Sequence, residues 1–254
     1  MWPAPRTMSN ATLVELFSSI QGEGPYVGYR QAFLRFHGCN LDCAYCDTVQ
    51  PSPPPVCRVE SEPGTGVFRE LPNPVSLAEA FEILTDWRTR CTGLHHSFSI
   101  TGGEPLLYRD LLVEWLPVLR SLCPLYLETN GTLPEHLAAV IDHLDFISMD
   151  IKLPSASGCA PLWKTHRKFL EVAVQREVFV KVIVGPDTST EEIDAACLII
   201  RDVDPSIPLI LQPVTRSGGS AVPARLLLKF QEQAARCLGD VRVIPQTHVF
   251  LNLL

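Results

Sequence analysis

The chain is predicted to adopt an α/β fold of barrel type, in which strands and helices alternate. Apolar strand-like runs and helical patterns alternate in about six or seven units along most of the sequence. Strands that are separated by helices pair in parallel, and their carboxyl ends then meet at one rim, where barrel folds carry their sites. Polar side chains stand near the ends of several runs, namely Arg35, Thr101, Glu128, Ser148, Asp150 and Gln212.

Hydrophobic periodicity and helix-end signals define the individual elements. Ser76 is the expected N-cap of a helix that ends near Cys91, and Glu191 and Glu192 suit the positive end of a helix from Thr190. Further helices are expected at 109–121 and 223–237. The expected strands cover residues 12–17, 31–36, 97–101, 125–131, 145–152, 178–184, 207–214 and 241–244.

The composition is that of an ordinary globular protein. The chain has 254 residues, of which 46% are hydrophobic, so one substantial core is expected and wholesale disorder is not. A net charge of −7 argues against broad binding to nucleic acid or to anionic membranes. No apolar run reaches the roughly 18–20 residues that span a bilayer, and residues 1–10 lack the apolar core of a signal peptide.

The cysteines indicate a reducing, cytoplasmic compartment. There are nine of them, and they are scattered rather than arranged as a secreted disulfide framework. Six are expected to pack as small hydrophobic side chains. These are Cys57, Cys91, Cys123, Cys159, Cys197 and Cys237.

The other three cysteines are the strongest chemical signal in the chain. Cys39, Cys43 and Cys46 have the spacing C-x3-C-x2-C, and Tyr45 directly precedes the last of them. Three thiolates can bind three irons of a [4Fe–4S] cube and leave the fourth iron open, whereas ferredoxin clusters normally use four cysteines. Structural zinc is the alternative, with His37 as the fourth ligand, although His37 lies only two residues before Cys39. An open iron predicts an exogenous ligand.

This motif resembles that of the radical S-adenosylmethionine (SAM) superfamily. There, the amino and carboxylate groups of SAM chelate the open iron, and an electron from the cluster cleaves SAM to a 5′-deoxyadenosyl radical. The resemblance implies one radical SAM domain over residues 1–254, with a partial (β/α)6-type TIM-like barrel and a cluster loop at 36–50. Tyr45, Cys46 and Asp47 are placed among its cofactor-binding residues, although Asp47 could also hydrogen-bond to its own turn.

A second glycine-rich motif follows the strand that ends at Thr101. Gly102 and Gly103 allow the backbone to approach a ligand closely, and their carbonyl groups can accept from an ammonium group. A phosphate cradle is the alternative, but no Walker lysine follows Glu104 and Pro105. By resemblance to the same superfamily, Gly103 contacts the SAM amino group, Glu104 lies nearby and Thr101 faces the substrate.

The segment 12–30 is expected to carry a substrate loop. Gly22 and Gly24 flank Glu23, a pattern that indicates close backbone approach or positive φ, although ordinary turns share it. The loop precedes the strand that leads to the cysteines, so it is expected beside the reaction site.

The run from Ile20 to Gly24 resembles the opening signature of 7-carboxy-7-deazaguanine synthases, radical SAM enzymes of the 7-deazapurine (queuosine precursor) pathway. In that family, Ile20, Gln21 and Gly22 would line the substrate pocket. Arg35 would bind a substrate carboxylate, for which its planar fork of donors is suited. A structural ion pair is the alternative for Arg35.

The same resemblance implies a bound Mg2+ and further SAM contacts. Thr48 would offer its hydroxyl to Mg2+, which prefers oxygen ligands, although most Thr at such positions are local caps. Ser148, Lys152 and Gln212 would contact SAM. The family commonly has Ser-x-Lys, whereas three residues separate Ser148 from Lys152 here, so Asp150 could share the role of the lysine.

Two segments lie outside these motifs. Residues 49–73 are rich in proline and are expected to form an extended loop over the cluster face or a partly mobile lid. The tail after Pro245 resembles the closing segment of the family but lacks the terminal proline that several members place against the substrate. His248 in this tail could be a pocket acid or base, or a structural cap.

The resemblance implies conversion of 6-carboxy-5,6,7,8-tetrahydropterin to 7-carboxy-7-deazaguanine by radical ring contraction with loss of ammonia. SAM would be regenerated, and Arg35 and Mg2+ would orient the substrate. The expected partners are the pterin, an electron donor such as flavodoxin or ferredoxin, and a second copy of the chain in a homodimer. The alternatives are a glycyl-radical-enzyme activating protein, which needs an open docking face, and a non-catalytic metal or iron–sulfur binding module.

Overall fold

A mixed β-sheet forms the centre of the protein. The computed structural model describes residues 10–46, 52–216 and 218–253. Within them the strands are β1 Leu13–Ile20, β2 Arg30–Phe36, β3 Val56–Glu60, β4 Phe68–Pro72, β5 Ser97–Gly102, β6 Leu125–Thr129, β7 Phe146–Asp150, β8 Glu177–Val184, β9 Leu209–Pro213, β10 Thr215–Arg216, β11 Gly219–Ser220 and β12 Val241–Val243. The helices are α1 Leu77–Arg90, α2 Arg109–Arg120, α3 Pro134–Val140, α4 Pro154–Ser157, α5 Trp163–Ala173, α6 Thr190–Val203, α7 Ala224–Ala234 and α8 Thr247–Phe250.

Ten strands form the main sheet, in the order β12-β9-β8-β7-β6-β5-β2-β1-β3-β4. The seven strands from β12 to β2 pair in parallel with their neighbours. β1 is antiparallel to β2, β3 is parallel to β1, and β4 is antiparallel to β3. Among the described residues no pairing joins β4 to β12, so the sheet is open there. The expected α/β fold with a parallel sheet is confirmed.

The expectation of a long loop at 49–73 is wrong for its described part. β3 and β4 form a hairpin that extends the sheet beyond β1, with Cys57 and Val59 fully buried. Pro53, Pro54 and Pro55 precede β3, where their missing N–H groups cost no ladder hydrogen bond. Two strands of only five residues between prolines show too little alternation to be recognised.

Other boundaries shift because tertiary contacts extend or reveal elements. β1 runs to Ile20, so the expected loop at 12–30 shortens to residues 21–29, called the N-terminal loop below. α3 and α5 were not predicted, although α5 buries an amphipathic face with His166 and Phe169. The expected N-cap at Ser76 is confirmed by a capping box with Glu79, which satisfies donors at the start of α1.

The parallel strands have two different faces, as β8 illustrates. Val178, Val180 and Val182 belong to the apolar core that the helices share, whereas Lys181 and Ile183 line a cavity on the opposite face. The helices therefore cover one face, and the other face is available for a site. No helix in the described part of the chain has the length and apolarity to cross a membrane.

Candidate active site

A cavity of about 510 Å³ lies at the carboxyl ends of the parallel strands. Its wall is formed by strands β1, β2 and β5–β9 and by the N-terminal loop. The loop that carries the three cysteines (residues 37–46, the cysteine loop) and the C-terminal tail (residues 244–253) complete it. It brings together most of the predicted site residues: Ile20, Gln21, Gly22, Arg35, Cys39, Cys43, Tyr45, Cys46, Thr101, Gly103, Ser148, Asp150, Lys152 and Gln212. Asp47 and Thr48 lie outside the described residues.

The glycine motif (residues 102–105) holds the cysteine loop in place through backbone hydrogen bonds. Gly103 N–H donates to Phe36 O at 3.2 Å, and Glu104 N–H donates to Gly38 O at 2.8 Å. A Cβ atom at Gly103 would lie 2.1 Å from Gly38 O, so a side chain there would push the two loops apart. Gly102 has a φ of +129°, and a Cβ atom there would lie 2.1 Å from Phe36 O. The two motifs predicted separately from the sequence form one wall.

The cysteine loop offers the three thiols that a [4Fe–4S] cluster with one open iron needs, one for each of the other three irons. Cys39, Cys43 and Cys46 are free thiols that line the same cavity. Asn130 Nδ2, 3.7 Å from Cys39 Sγ, is a polar neighbour that was not predicted.

Cys159 does not pack in the core as expected. Its Sγ lies 4.0 Å from Cys43 Sγ, and the neighbouring Ser157 O accepts from Ala44 N–H at 2.8 Å. By contrast, Cys57 and Cys197 are buried as predicted. The end of α4 and the residues just after it therefore contact the cysteine loop.

Glu104 is not part of the cavity wall. Its side chain is fully buried, and its carboxylate accepts from Thr129 Oγ1 at 3.0 Å, Asn130 N–H at 2.7 Å and Leu106 N–H at 3.1 Å. Burial raises the pKa of Glu104 to about 7, although these hydrogen bonds oppose the shift. Glu104 thus ties the glycine motif to the end of β6, directly beside Gly103 of the cavity wall.

Arg35 lines the cavity and also makes the ion pair that was its alternative role. Its Nε donates to Glu15 Oε1 at 2.8 Å, and its guanidinium carbon lies 5.5 Å from the centre of the Phe17 ring. These contacts fix the plane of the guanidinium at the cavity wall. The ion pair and a role towards a ligand are therefore compatible.

Glu128 connects two predicted substrate-binding residues. Its carboxylate accepts from Thr101 Oγ1 at 2.7 Å and from Gln21 Nε2 at 2.8 Å, and Gln21 Nε2 also donates to Gln31 Oε1 at 2.9 Å. Because each of these groups is on a different element, the network holds the N-terminal loop against β5 and β6.

A chain of alternating charges crosses the cavity wall. Lys152 Nζ lies 2.6 Å from Asp150 Oδ2 and 5.4 Å from the centre of the Tyr45 ring. Lys181 Nζ lies 3.4 Å from the other Asp150 oxygen and also pairs with Glu23. Asp150 therefore holds Lys152 in place, which explains how the longer Ser-x-x-x-Lys spacing still places the lysine at the cavity.

Sequence reasoning missed Lys181 and did not assign Glu23 a role. The available signal for Lys181 was a charge in the middle of an apolar strand, on the same face as Phe179 and Ile183. Burial alone would raise the pKa of Glu23, but the Lys181 ammonium and hydrogen bonds from glutamine side chains lower it to about 2.

The C-terminal tail packs against the N-terminal loop, and the two segments together form one side of the cavity. Thr247 N–H and Oγ1–H donate to Gly22 O at 2.9 and 3.0 Å. A Cβ atom at Gly22 would lie 2.1 Å from His248 Nδ1, so glycine is required for this approach. His248 also lines the cavity.

Gln212 in the same wall is buried, and its Oε1 has no hydrogen-bond partner within the described protein. An acceptor in this position suits a donor from a ligand.

The chain is similar to proteins of known family over nearly its whole length. The radical SAM superfamily model matches residues 33–203. The 7-carboxy-7-deazaguanine synthase of Geobacter sulfurreducens is 51% identical over 245 residues, which cover 96% of this chain and 98% of that protein. The enzyme of the same name from Methanothermobacter thermautotrophicus is 35% identical, with coverages of 97% and 99%. The crystal structure of QueE from Escherichia coli has a TM-score of 0.55, 20% identity and 93% coverage of each chain, which supports the fold.

Proposed function

Since the chain belongs to the 7-carboxy-7-deazaguanine synthase family of radical SAM enzymes, we propose that it converts 6-carboxy-5,6,7,8-tetrahydropterin to 7-carboxy-7-deazaguanine. The reaction contracts the pterin ring and releases ammonia. The observation that carries the proposal is that the loop after Ile20, the glycine motif and the three cysteines line one cavity. Family membership favours this activity over a glycyl-radical activating protein or a non-catalytic module.

The cofactors of this family are a [4Fe–4S] cluster and SAM, and the cavity wall fits them. Cys39, Cys43 and Cys46 would hold the cluster, while the Gly103 backbone and Gln212 would hold SAM. When bound, the two groups supply the carbon-centred radical that removes a hydrogen atom from the substrate. Ser148, Asp150, Lys152 and Tyr45 would complete the SAM site.

The remaining wall would bind and orient the pterin. Arg35 would pair with the substrate carboxylate from the position that Glu15 fixes. Ile20, Gln21, Gly22 and Thr101 would contact the ring, and Glu128 holds Gln21 and Thr101 in place. Orientation of this kind supplies much of a rate enhancement when the reacting atoms are held close together. A Mg2+ ion bound by Thr48 would further fix the carboxylate.

We also propose the setting of the reaction. The whole chain would be a single radical SAM domain that works as a homodimer in the cytoplasm, where a reducing environment keeps its cysteines free. Flavodoxin or ferredoxin would deliver the electron. Neither nucleic acid nor a membrane is an expected partner, because the chain carries a net charge of −7.

The decisive experiment is an anaerobic assay with the reconstituted protein, SAM, Mg2+, a reductant and 6-carboxytetrahydropterin, with products identified by mass spectrometry. We expect 7-carboxy-7-deazaguanine to accumulate with little net loss of SAM. Accumulation of 5′-deoxyadenosine without this product would retain the radical SAM assignment and refute the substrate. Zinc binding without development of [4Fe–4S] absorption would refute the cluster assignment itself.

A further inference from the structure

Lys181 is a buried charge to which the proposed reaction assigns no role. It lies in the middle of β8, with a relative exposure of 8%, between apolar neighbours on the same face. A lone ammonium in such a place is costly, and it is retained only where carboxylates compensate it. Lys181 Nζ has two such partners, Glu23 from the N-terminal loop and Asp150 at the end of β7.

Glu23 carries this link onward to the far end of the chain. Its Oε1 accepts from Gln246 Nε2 at 2.9 Å, and its N–H donates to Gln21 Oε1 at 3.0 Å. One residue earlier, Gly22 O accepts both hydrogen bonds from Thr247. The N-terminal loop and the C-terminal tail are therefore fastened to each other, and Lys181 anchors the pair to the sheet.

Lys181 and Lys152 both pair with Asp150, but they connect different parts of the chain. Lys152 pairs with Asp150 only two residues away and faces Tyr45 of the cysteine loop. Lys181 instead joins segments that are 158 residues apart in sequence. Because its two partners are so far apart in sequence, the Lys181–Glu23 ion pair determines how the N-terminal loop is placed against β8 rather than the local structure of either segment.

We propose that Lys181 is a positioning residue that acts through Glu23 to hold the N-terminal loop and the C-terminal tail closed over the cavity, with His248 against Gly22. The inference rests on the proposed function in one respect: Gln21 and Gly22 are the residues that would contact the carboxylated pterin. Closure itself is a property of the protein and can be measured without turnover. Lys181 thereby sets substrate affinity through Glu23, while Asp150 keeps its own pair with Lys152 on the SAM side of the cavity.

Hydrogen exchange measured by mass spectrometry on the purified full chain tests closure directly. In Lys181→Met and in Glu23→Gln, we expect exchange in peptides covering residues 20–26 and 245–253 to become about tenfold faster, since the closed state loses its anchor. A peptide covering β5 should not change. The matched control is Arg167→Met, which removes exposed ion pairs with Glu171 and Asp202 far from the cavity and should leave both peptides unchanged.

The double variant Lys181→Met/Glu23→Gln distinguishes the proposed link from general destabilisation. It removes both charges, so we expect its exchange to match that of the single variants rather than the product of their effects. Additive effects, unchanged exchange at the two peptides, or faster exchange across the whole sheet would each overturn the proposal.

Kinetics test the consequence for the substrate. We expect Lys181→Met to raise KM for the pterin by about tenfold, a larger change than in SAM affinity because Lys152 still pairs with Asp150. Lys181→Arg should recover part of the loss because it keeps the charge. Opening of the peptides without a change in KM would refute the positioning role. If no variant, nor the wild type, forms 7-carboxy-7-deazaguanine, the proposed function fails, while the exchange experiment still decides whether Lys181 holds the two segments closed.

Discussion

Leu211 and Gln212 are adjacent in β9 and yet belong to different regions of the molecule. Leu211 is fully buried in the core between sheet and helices, and Gln212 is almost as buried but lines the cavity with an unpaired Oε1. The same alternation divides β8 into core valines and cavity-facing Lys181. The helix face is thus satisfied within the protein by apolar packing, whereas the cavity face retains polar groups for which a ligand is the natural partner.

The difference between the two faces indicates that residues on the helix face determine stability, whereas residues on the cavity face determine function. On the helix face, burial is the main stabilising term, and a substitution acts on the free energy of unfolding. On the cavity face, charged groups contribute little net stability, because desolvation offsets their attraction, but they fix how distant segments meet. Substitutions on the two faces should therefore be distinguishable by measurement.

The largest effect is expected at the cysteine loop, the most extreme part of the cavity face. Replacing Cys39, Cys43 or Cys46 by Ala should abolish [4Fe–4S] binding and product formation, because each thiolate would hold one iron. Cys159→Ala is the matched control, since its thiol lies 4.0 Å from Cys43 Sγ but does not line the cavity. Iron and sulfide analysis after anaerobic reconstitution checks both. Loss of the cluster in the control would show that four cysteines are needed.

The sequence predicted the cavity face where its chemistry is local. The three cysteines lie within eight residues and the glycine motif within four, so each could be identified from its spacing. Glu23, Lys181 and Asn130 were missed because their partners lie far away in sequence, as with the 158 residues between Lys181 and Glu23. No periodic or local pattern marks such pairs.

The sequence predicted the helix face through periodicity, and it failed where periodicity was short or interrupted. Long amphipathic segments such as α1 and α6 were predicted with their N-terminal ends. The hairpin of β3 and β4 was missed because its strands are only five residues long and are flanked by prolines, so the pairing with β1 decides its structure. Tertiary pairing overrides weak local preference in such edge strands.

The adjacent pair in β9 gives the next largest effect. Leu211→Ala should lower the free energy of unfolding by about 2–5 kcal/mol because it leaves a cavity in a packed core. Gln212→Ala should lower it less, by about 1.5 kcal/mol, because one hydrogen bond to the Glu23 carboxylate is lost, and it should weaken SAM binding. Urea unfolding and equilibrium SAM binding measure the two quantities. Equal losses of stability would remove the distinction between the faces.

His166 lies where the buried core meets the cavity wall, and the pH dependence of the unfolding free energy reports on its environment. It is fully buried on α5, where its Nε2 accepts from Lys152 N–H at 3.1 Å and its Nδ1–H donates to Gly131 O at 3.0 Å. Burial, assisted by Lys152, lowers its pKa from 6.5 to about 4, so the folded protein keeps the neutral ring. Its contribution to stability is present above pH 6.5 and is lost as the pH falls towards 4, because the unfolded chain binds the proton first.

The expected loss from this single group is about 3 kcal/mol over that interval. His166→Gln can keep both hydrogen bonds without titrating, so its unfolding free energy should fall less steeply with acidification. Urea unfolding of both proteins at a series of pH values from 7 to 4 measures the difference. Parallel profiles would show that the pKa of His166 is the same in the folded protein and the unfolded chain.

The smallest effect is expected at Arg35, where a structural contact and a role towards the ligand meet in one side chain. Arg35→Lys keeps the charge that pairs with Glu15 but loses the planar fork, so stability should be nearly unchanged, while KM for the pterin rises about tenfold. Arg58→Lys is the matched control, because Arg58 also pairs with Glu15, at 3.7 Å, but is half exposed and does not line the cavity. If both variants raise KM equally, the effect passes through Glu15 rather than through contact with a substrate carboxylate. A rise confined to Arg35→Lys would assign the carboxylate contact to its guanidinium.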